Sequence, residues 1–148
     1  MNETIAGTGA KTPWHVWLVG VLATLWNLGG AVDYTMTQTR NEAYLGQFTA
    51  EQLEYFMSFP AWFDAFWAIG VWGALLGSIL ILARSRFAYH AFVASLVGIA
   101  GTTFWTATNA MPESLDTAGV WAFTIAIVVS VVLLAVYSRR MTARGVLR

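Results

Sequence analysis

The sequence predicts an all-α membrane protein: an antiparallel four-transmembrane-helix bundle with an extra short amphipathic helix between helices one and two. Three observations predict it. Hydrophobic residues make up 57% of the 148 and charged residues 11%, whereas ordinary soluble domains are roughly a quarter charged. Four apolar runs, Trp14–Val32, Trp62–Ala83, Ala88–Ala107 and Ala118–Tyr137, match the ~20 helical residues that cross ~30 Å of hydrocarbon. None of them alternates polar with apolar, so helices rather than barrel strands satisfy the backbone in lipid.

The charges also sort by side. Lys11, Arg84, Arg86, Arg139, Arg140, Arg144 and Arg148 fall on the N-terminal, second-loop and C-terminal segments, which share a side if the chain crosses four times. The other side holds Asp33, Glu42, Glu51, Glu54, Asp64, Glu113 and Asp116, with Arg40 its only base. By the positive-inside rule both termini are expected in the cytoplasm. Cysteine is absent, which excludes disulfides, thiol redox exchange and Cys-ligated metal sites. One Lys precedes the first apolar run and no small-x-small cleavage site follows it, so that run is expected to be a retained helix.

A single domain over residues 1–148 is expected, with helices at about 13–45, 60–83, 87–108 and 117–140, an interfacial helix at about 50–58, and flexible segments at 1–12 and 141–148. Pro13 suits the first helical position with Thr12 as cap, and Trp14, His15 and Trp17 suit the inner interface. Beyond Asp33 the first helix turns polar without meeting a breaker until Gly46. It is therefore expected to project two to three turns out of the membrane, with Gly29-Gly30 its natural bending point. Thr49 and Gln52 have capping-box spacing, Phe48 is placed to staple onto Leu53, and an amphipathic helix follows with Leu53, Phe56 and Met57 on one face. Pro60 opens the second crossing. There Gly70, Gly73 and Gly77 form a small-residue stripe for close packing. The third crossing aligns Ala91, Ser95, Gly98, Thr102, Trp105 and Asn109, with most hydroxyls expected to bond back to their own helix. The fourth, least polar, is expected to be the most lipid-exposed.

Candidate site residues collect toward the acidic side. Gly20, Ala23, Asn27, Gly30, Tyr34, Gln38 and Asn41 step by three or four along the first helix and so share a face. Asn27 is its most deeply placed strongly polar side chain and needs a partner in hydrocarbon; Thr102, Asn109 and backbone carbonyls are the candidates. An interhelical hydrogen bond and contact with a ligand are both open to it. Asp33, Tyr34, Gln38, Arg40, Trp62, Asp64, Trp67, Trp105 and Asn109 lie at the outer level and form either the wall of an outward-facing vestibule or an aromatic belt with solvated charges. Arg40 is expected to pair with Asp33, Asp64 or Glu42. His15 and His90, near the other interface, suggest a haem or pigment site. Interfacial histidines without a ligand are commoner, however, so no metal and no cofactor is expected. Phosphate loops, HExxH and nucleophile-elbow patterns are absent from the sequence.

The run from Leu25 through Arg86, LWNLGGAVDYTMTQTRNEAYLGQFTAEQLEYFMSFPAWFDAFWAIGVWGALLGSILILARSR, resembles a family of small four-crossing proteobacterial membrane proteins that sometimes carries a sugar-transporter label. The resemblance is most specific over Trp26–Trp72. It implies the bacterial inner membrane and supplies no catalytic residues. The expected function is non-enzymatic: an accessory or binding subunit whose outer segment docks a larger membrane assembly or an amphipathic ligand. The alternatives are an oligomeric small-solute carrier, possibly for sugars, and a haem- or pigment-binding subunit. Expected partners are the lipid bilayer and a membrane protein or further copies of the chain, with no nucleic acid.

Overall fold

The computed structural model describes residues 11–148. The chain forms α1 (Trp14–Gln38), α2 (Glu42–Leu45), α3 (Ala50–Met57), α4 (Ala61–Leu82), α5 (Ala88–Thr108) and α6 (Ala118–Ala143). Of these, α1, α4, α5 and α6 are long and apolar enough to cross a membrane, and the protein is an all-α, multi-pass integral membrane bundle. Both described chain ends and the α4–α5 turn lie together at one end, here the terminal end. The loop end carries α2, α3 and the α5–α6 connection.

Three of the four long helices stop in the same way. Past α1, Asn41 N–H bonds Met36 O at 3.0 Å and Arg40 N–H bonds Thr37 O at 3.1 Å, with Arg40 left-handed at φ 51°. That is a Schellman ending, which usually takes glycine because a Cβ is crowded there. Arg84 (φ 56°) ends α4 and Gly145 (φ 69°) ends α6 by the same bonds. The expected continuous helix over 13–45 is thus broken at Thr39-Arg40. Asn41 then caps α2 by accepting from Tyr44 N–H at 3.0 Å, and Gly46 closes that short helix. The capping box at Thr49 and Gln52 forms as expected. Thr12 does not cap α1; Pro13 occupies that position, and the Thr12 hydroxyl accepts from Arg84 Nη1 at 3.2 Å. α1 runs unbroken through Gly29-Gly30.

The terminal half of the bundle is solid. Val16, Ile81, Ala88, Phe92, Met141 and Leu147 form one buried cluster. Residues 141–148, expected to be flexible, instead complete it: α6 continues to Ala143, and the chain then turns so that Val146 and Leu147 are buried. Backbone bonds between Arg148 and both Arg84 and Arg86 hold that turn against the α4–α5 connection. Residues 1–10 of the other segment expected to be flexible lie outside the described residues.

α4 is the central element, packing most closely on α5 and then on α1. Its glycine stripe makes the first contact possible. A Cβ at Gly77 would come within 2.8 Å of the Phe92 ring, and one at Gly73 within 3.1 Å of Ala91 O. Ser95 Oγ donates to Gly70 O at 2.5 Å across the same seam. The polar stripe of α1 faces α4 along its length: Asn27 meets Ser78, Tyr34 stands edge-on to Trp67, and Gln38 meets Asp64. By contrast α1 and α6 touch mainly through side chains, His15 against Tyr137 at the terminal end and Trp26 against Phe123 nearer the middle. α6 is the least buried of the four spans.

Candidate functional site

Because α1 and α6 stay apart toward the loop end, the four long helices leave a cavity of about 870 Å³ between them. Its floor is Asn27, Ala74 and Val131, the last two also members of the solid cluster below. Its walls are Phe63, Phe66, Val71, Ile99 and Ile127, and Trp26 and Phe123 stand at the α1–α6 gap. The roof is built by the loop-end segments: Tyr44, Phe48, Phe56 and Phe59 line it. The Tyr44 and Phe56 rings stand edge-on to Phe48 with centroids 5.5 and 5.2 Å away. Phe48 thus joins α2 to α3 through Tyr44 and Phe56, while Met57, expected on the apolar face, is exposed.

Apolar atoms dominate this lining. Several wall hydroxyls are turned onto their own helices, as expected: Thr102 to Ile99 O at 3.0 Å, Thr106 to Thr102 O at 2.9 Å and Thr124 to Val120 O at 3.0 Å. Polar groups are found at the two ends. On the floor Asn27, 8% exposed, donates from Nδ2 to Ser78 Oγ at 2.9 Å, and Ser78 in turn donates to Ala74 O at 2.9 Å. The partner is therefore Ser78 on α4, not Thr102 or Asn109. Thr102 lies on α5 and Asn109 just past its end, whereas the α1 stripe faces α4. The Asn27 carbonyl has no hydrogen bond among the described residues.

At the roof the Tyr44 hydroxyl donates to Asp33 Oδ1, tying α2 down onto α1. Burial first, then the hydrogen bond to Asp33 and its charge, push the Tyr44 phenol up to about 12 from 10.0, so it remains a neutral donor. Burial also raises Tyr55, whose ring lies 5.6 Å from Trp105. On the α6 side, Trp121 Nε1 donates to Asp116 Oδ1 at 2.7 Å.

The expected site residues do not form one wall. Asn27, Asp33 and Trp67 line the cavity. Tyr34, Gln38 and Asp64 sit on the α1–α4 seam, where Gln38 Nε2 donates to Asp64 Oδ1 at 3.0 Å and Tyr34 stands edge-on to Trp67 at 5.1 Å. Trp105 is packed into Phe59, Phe63 and Tyr55, bracing the roof without lining the cavity. Trp62, Arg40 and Asn109 are exposed; Asn109 bonds back to Trp105 O at 2.9 Å. Arg40 forms no ion pair with Asp33, Asp64 or Glu42 among the described residues; Asp33 and Asp64 are bonded by Tyr44 and Gln38. The histidines have separate surroundings, His15 Nδ1 lying 2.6 Å from the Tyr137 hydroxyl and His90 packing on Phe87 and Tyr89. Among the described residues no three His, Cys, Asp or Glu come together so that they could hold a metal ion.

Sequence reasoning missed Ser78, Tyr44, the phenylalanines of the roof, and Trp121 with Asp116. Ser78 follows Gly70, Gly73 and Gly77 on the same helix and is its last polar side chain before the turn, a signal available from spacing alone. No family model, curated protein or solved structure matches this chain.

Proposed function

We propose that this protein is a non-enzymatic binding protein of the bacterial inner membrane that holds the chain of an amphipathic lipid-like molecule in this cavity, its head at the loop end. The cavity carries the reading. At about 870 Å³ it lies within the ~300–1,000 Å³ of ordinary ligand sites. That is room for roughly 29 groups of water's ~30 Å³, in a space walled by aromatic and aliphatic side chains. Filling it with water would leave most of those waters without partners. A sugar carries a hydroxyl on most carbons, and a mainly apolar wall on which Thr102, Thr106 and Thr124 bond back to their own helices suits it poorly. The charge distribution supports cytoplasmic termini, and on that reading the cavity belongs to the outer leaflet.

The test is extraction of the protein, purified in uncharged detergent, followed by mass spectrometry of bound lipid. One amphiphile class near stoichiometric amounts is expected. The double substitution Val71→Trp with Ile127→Trp, which fills the cavity from two walls, is expected to remove it while the protein still unfolds cooperatively. Bound lipid equal to the membrane background, unaltered by the double variant, would refute the proposal.

A further inference from the structure

The cavity mouth has a definite charge. Asp33 lines it directly. Asp116 stands on the α6 side, bonded at 2.7 Å to Trp121, which also lines the cavity. Both carboxylates are thus fixed to lining residues by aromatic donors, Tyr44 for Asp33 and Trp121 for Asp116. Each carboxylate offers about four lone-pair sites and gives one to its aromatic partner, so acceptor capacity remains at both.

Little positive charge offsets them. Among described residues the loop end holds Asp33, Glu42, Glu51, Glu54, Asp64, Glu113 and Asp116 against Arg40 alone. Arg40 is exposed at the left-handed position that ends α1, and neither mouth carboxylate bonds to it. The second observation is the cavity itself, about 870 Å³ of space whose lining includes Asp33 toward the loop end.

The head group decides binding here more than the chain does. A chain leaving the bilayer for an apolar cavity exchanges one hydrocarbon surrounding for another and gains little hydrophobic free energy. Selectivity must come from the polar end. A phosphate or carboxylate at the mouth would meet two like charges; an ammonium would meet two opposite ones and has donors for the free lone pairs.

From this we infer that the ligand of the cavity is a long-chain amphiphile with a cationic ammonium head and no anionic group, selected by Asp33 and Asp116. The inference rests on the chain-binding function proposed above and deepens it.

Three probes of equal chain length separate the two: photoactivatable hexadecylamine, hexadecanol and hexadecanoic acid, each titrated against the full chain in uncharged detergent at neutral pH. The amine is expected to bind roughly tenfold more tightly than the acid, with the alcohol between, the scale set by two partly exposed charge contacts. Raising the salt is expected to shrink that ratio. Asp33→Asn and Asp116→Asn keep an acceptor oxygen for Tyr44 and Trp121 while removing the charge. Together they are expected to bring amine and acid within about twofold and leave the alcohol unchanged. Should the pair fail to fold, Asp116→Asn alone, on an exposed loop, is expected to lower the ratio. Equal binding of amine and acid to the unaltered protein, or a ratio that survives both substitutions, overturns the head-group inference while leaving the cavity function standing. Binding of none of the three overturns both.

Discussion

Gly98→Ala adds one methyl where α4 and α5 come closest, and the structure sets its cost. The new Cβ would lie 2.5 Å from Phe66 O and 2.7 Å from Gly70 Cα, whereas ordinary contact begins at 3.4 Å. It would also run into the Gly70 amide nitrogen, closer still; all three neighbours are backbone, so none can rotate aside, and the helices must part by more than 0.9 Å (3.4 less 2.5) to restore ordinary contact. Overpacking of this kind costs about 1–3 kcal/mol. Stretching the Ser95–Gly70 bond adds about 0.6 kcal/mol, a typical membrane value, while replacing a helical glycine returns at most ~1 kcal/mol. The net expectation is a loss of about 1–3 kcal/mol. Gly29→Ala supplies the control: its Cβ meets nothing within 4 Å, so it is expected to gain about 0.5–1 kcal/mol from helix propensity alone. Reversible unfolding in mixed micelles, followed by tryptophan fluorescence, measures both. A Gly98→Ala protein as stable as the parent would refute the packing described for α4 and α5.

Arg40→Gly relieves a left-handed arginine and is expected to stabilise by up to ~1 kcal/mol in the same unfolding assay; a loss would mean that the Arg40 side chain holds the loop end together. Ser138 is fully buried with an unbonded hydroxyl among the described residues, so Ser138→Ala is expected to gain roughly 1 kcal/mol, and a comparable loss would expose a missing partner. The Tyr44 phenol is raised from 10.0 to about 12 in the folded protein. Its contribution to the roof is therefore complete below pH 10 and lost as pH rises through about 12. Ultraviolet titration is expected to show a late-ionising tyrosine that disappears in Tyr44→Phe; an unchanged titration in that variant would contradict the Asp33–Tyr44 contact.

Much of the fold was legible because lipid imposes strong rules on composition. The apolar runs, the glycine stripe of α4 and the Thr49–Gln52 capping box each follow from local chemistry, and each reappears in the structure. The helix endings were less legible. Arg40 and Arg84 occupy positions where a glycine was the only recognisable signal, so α1 was read through its stop. Val146 and Leu147 looked like a short tail because their burial depends on a turn at Gly145 that docks them on other segments.

The candidate site shows the same division. The stripe through Asn27, Tyr34 and Gln38 follows from helical period, and it faces α4, buried at Asn27 and exposed by Gln38. Its partner was not readable, since choosing Ser78 over Thr102 requires the relative placement of α1, α4 and α5. The cavity itself comes from a space between α1 and α6 that neither helix records in its own periodicity. Its phenylalanine lining reads in sequence as ordinary membrane apolarity.

The most direct test of the central claim is where a chain binds. A photoactivatable hexadecanol, irradiated with the purified protein and mapped by peptide mass spectrometry, is predicted to modify Phe66, Val71, Ile99 and Ile127, the residues facing the cavity. Adducts confined to the lipid-facing Leu22, Phe104 and Leu133 would show a chain that only coats the bundle, and would contradict the account.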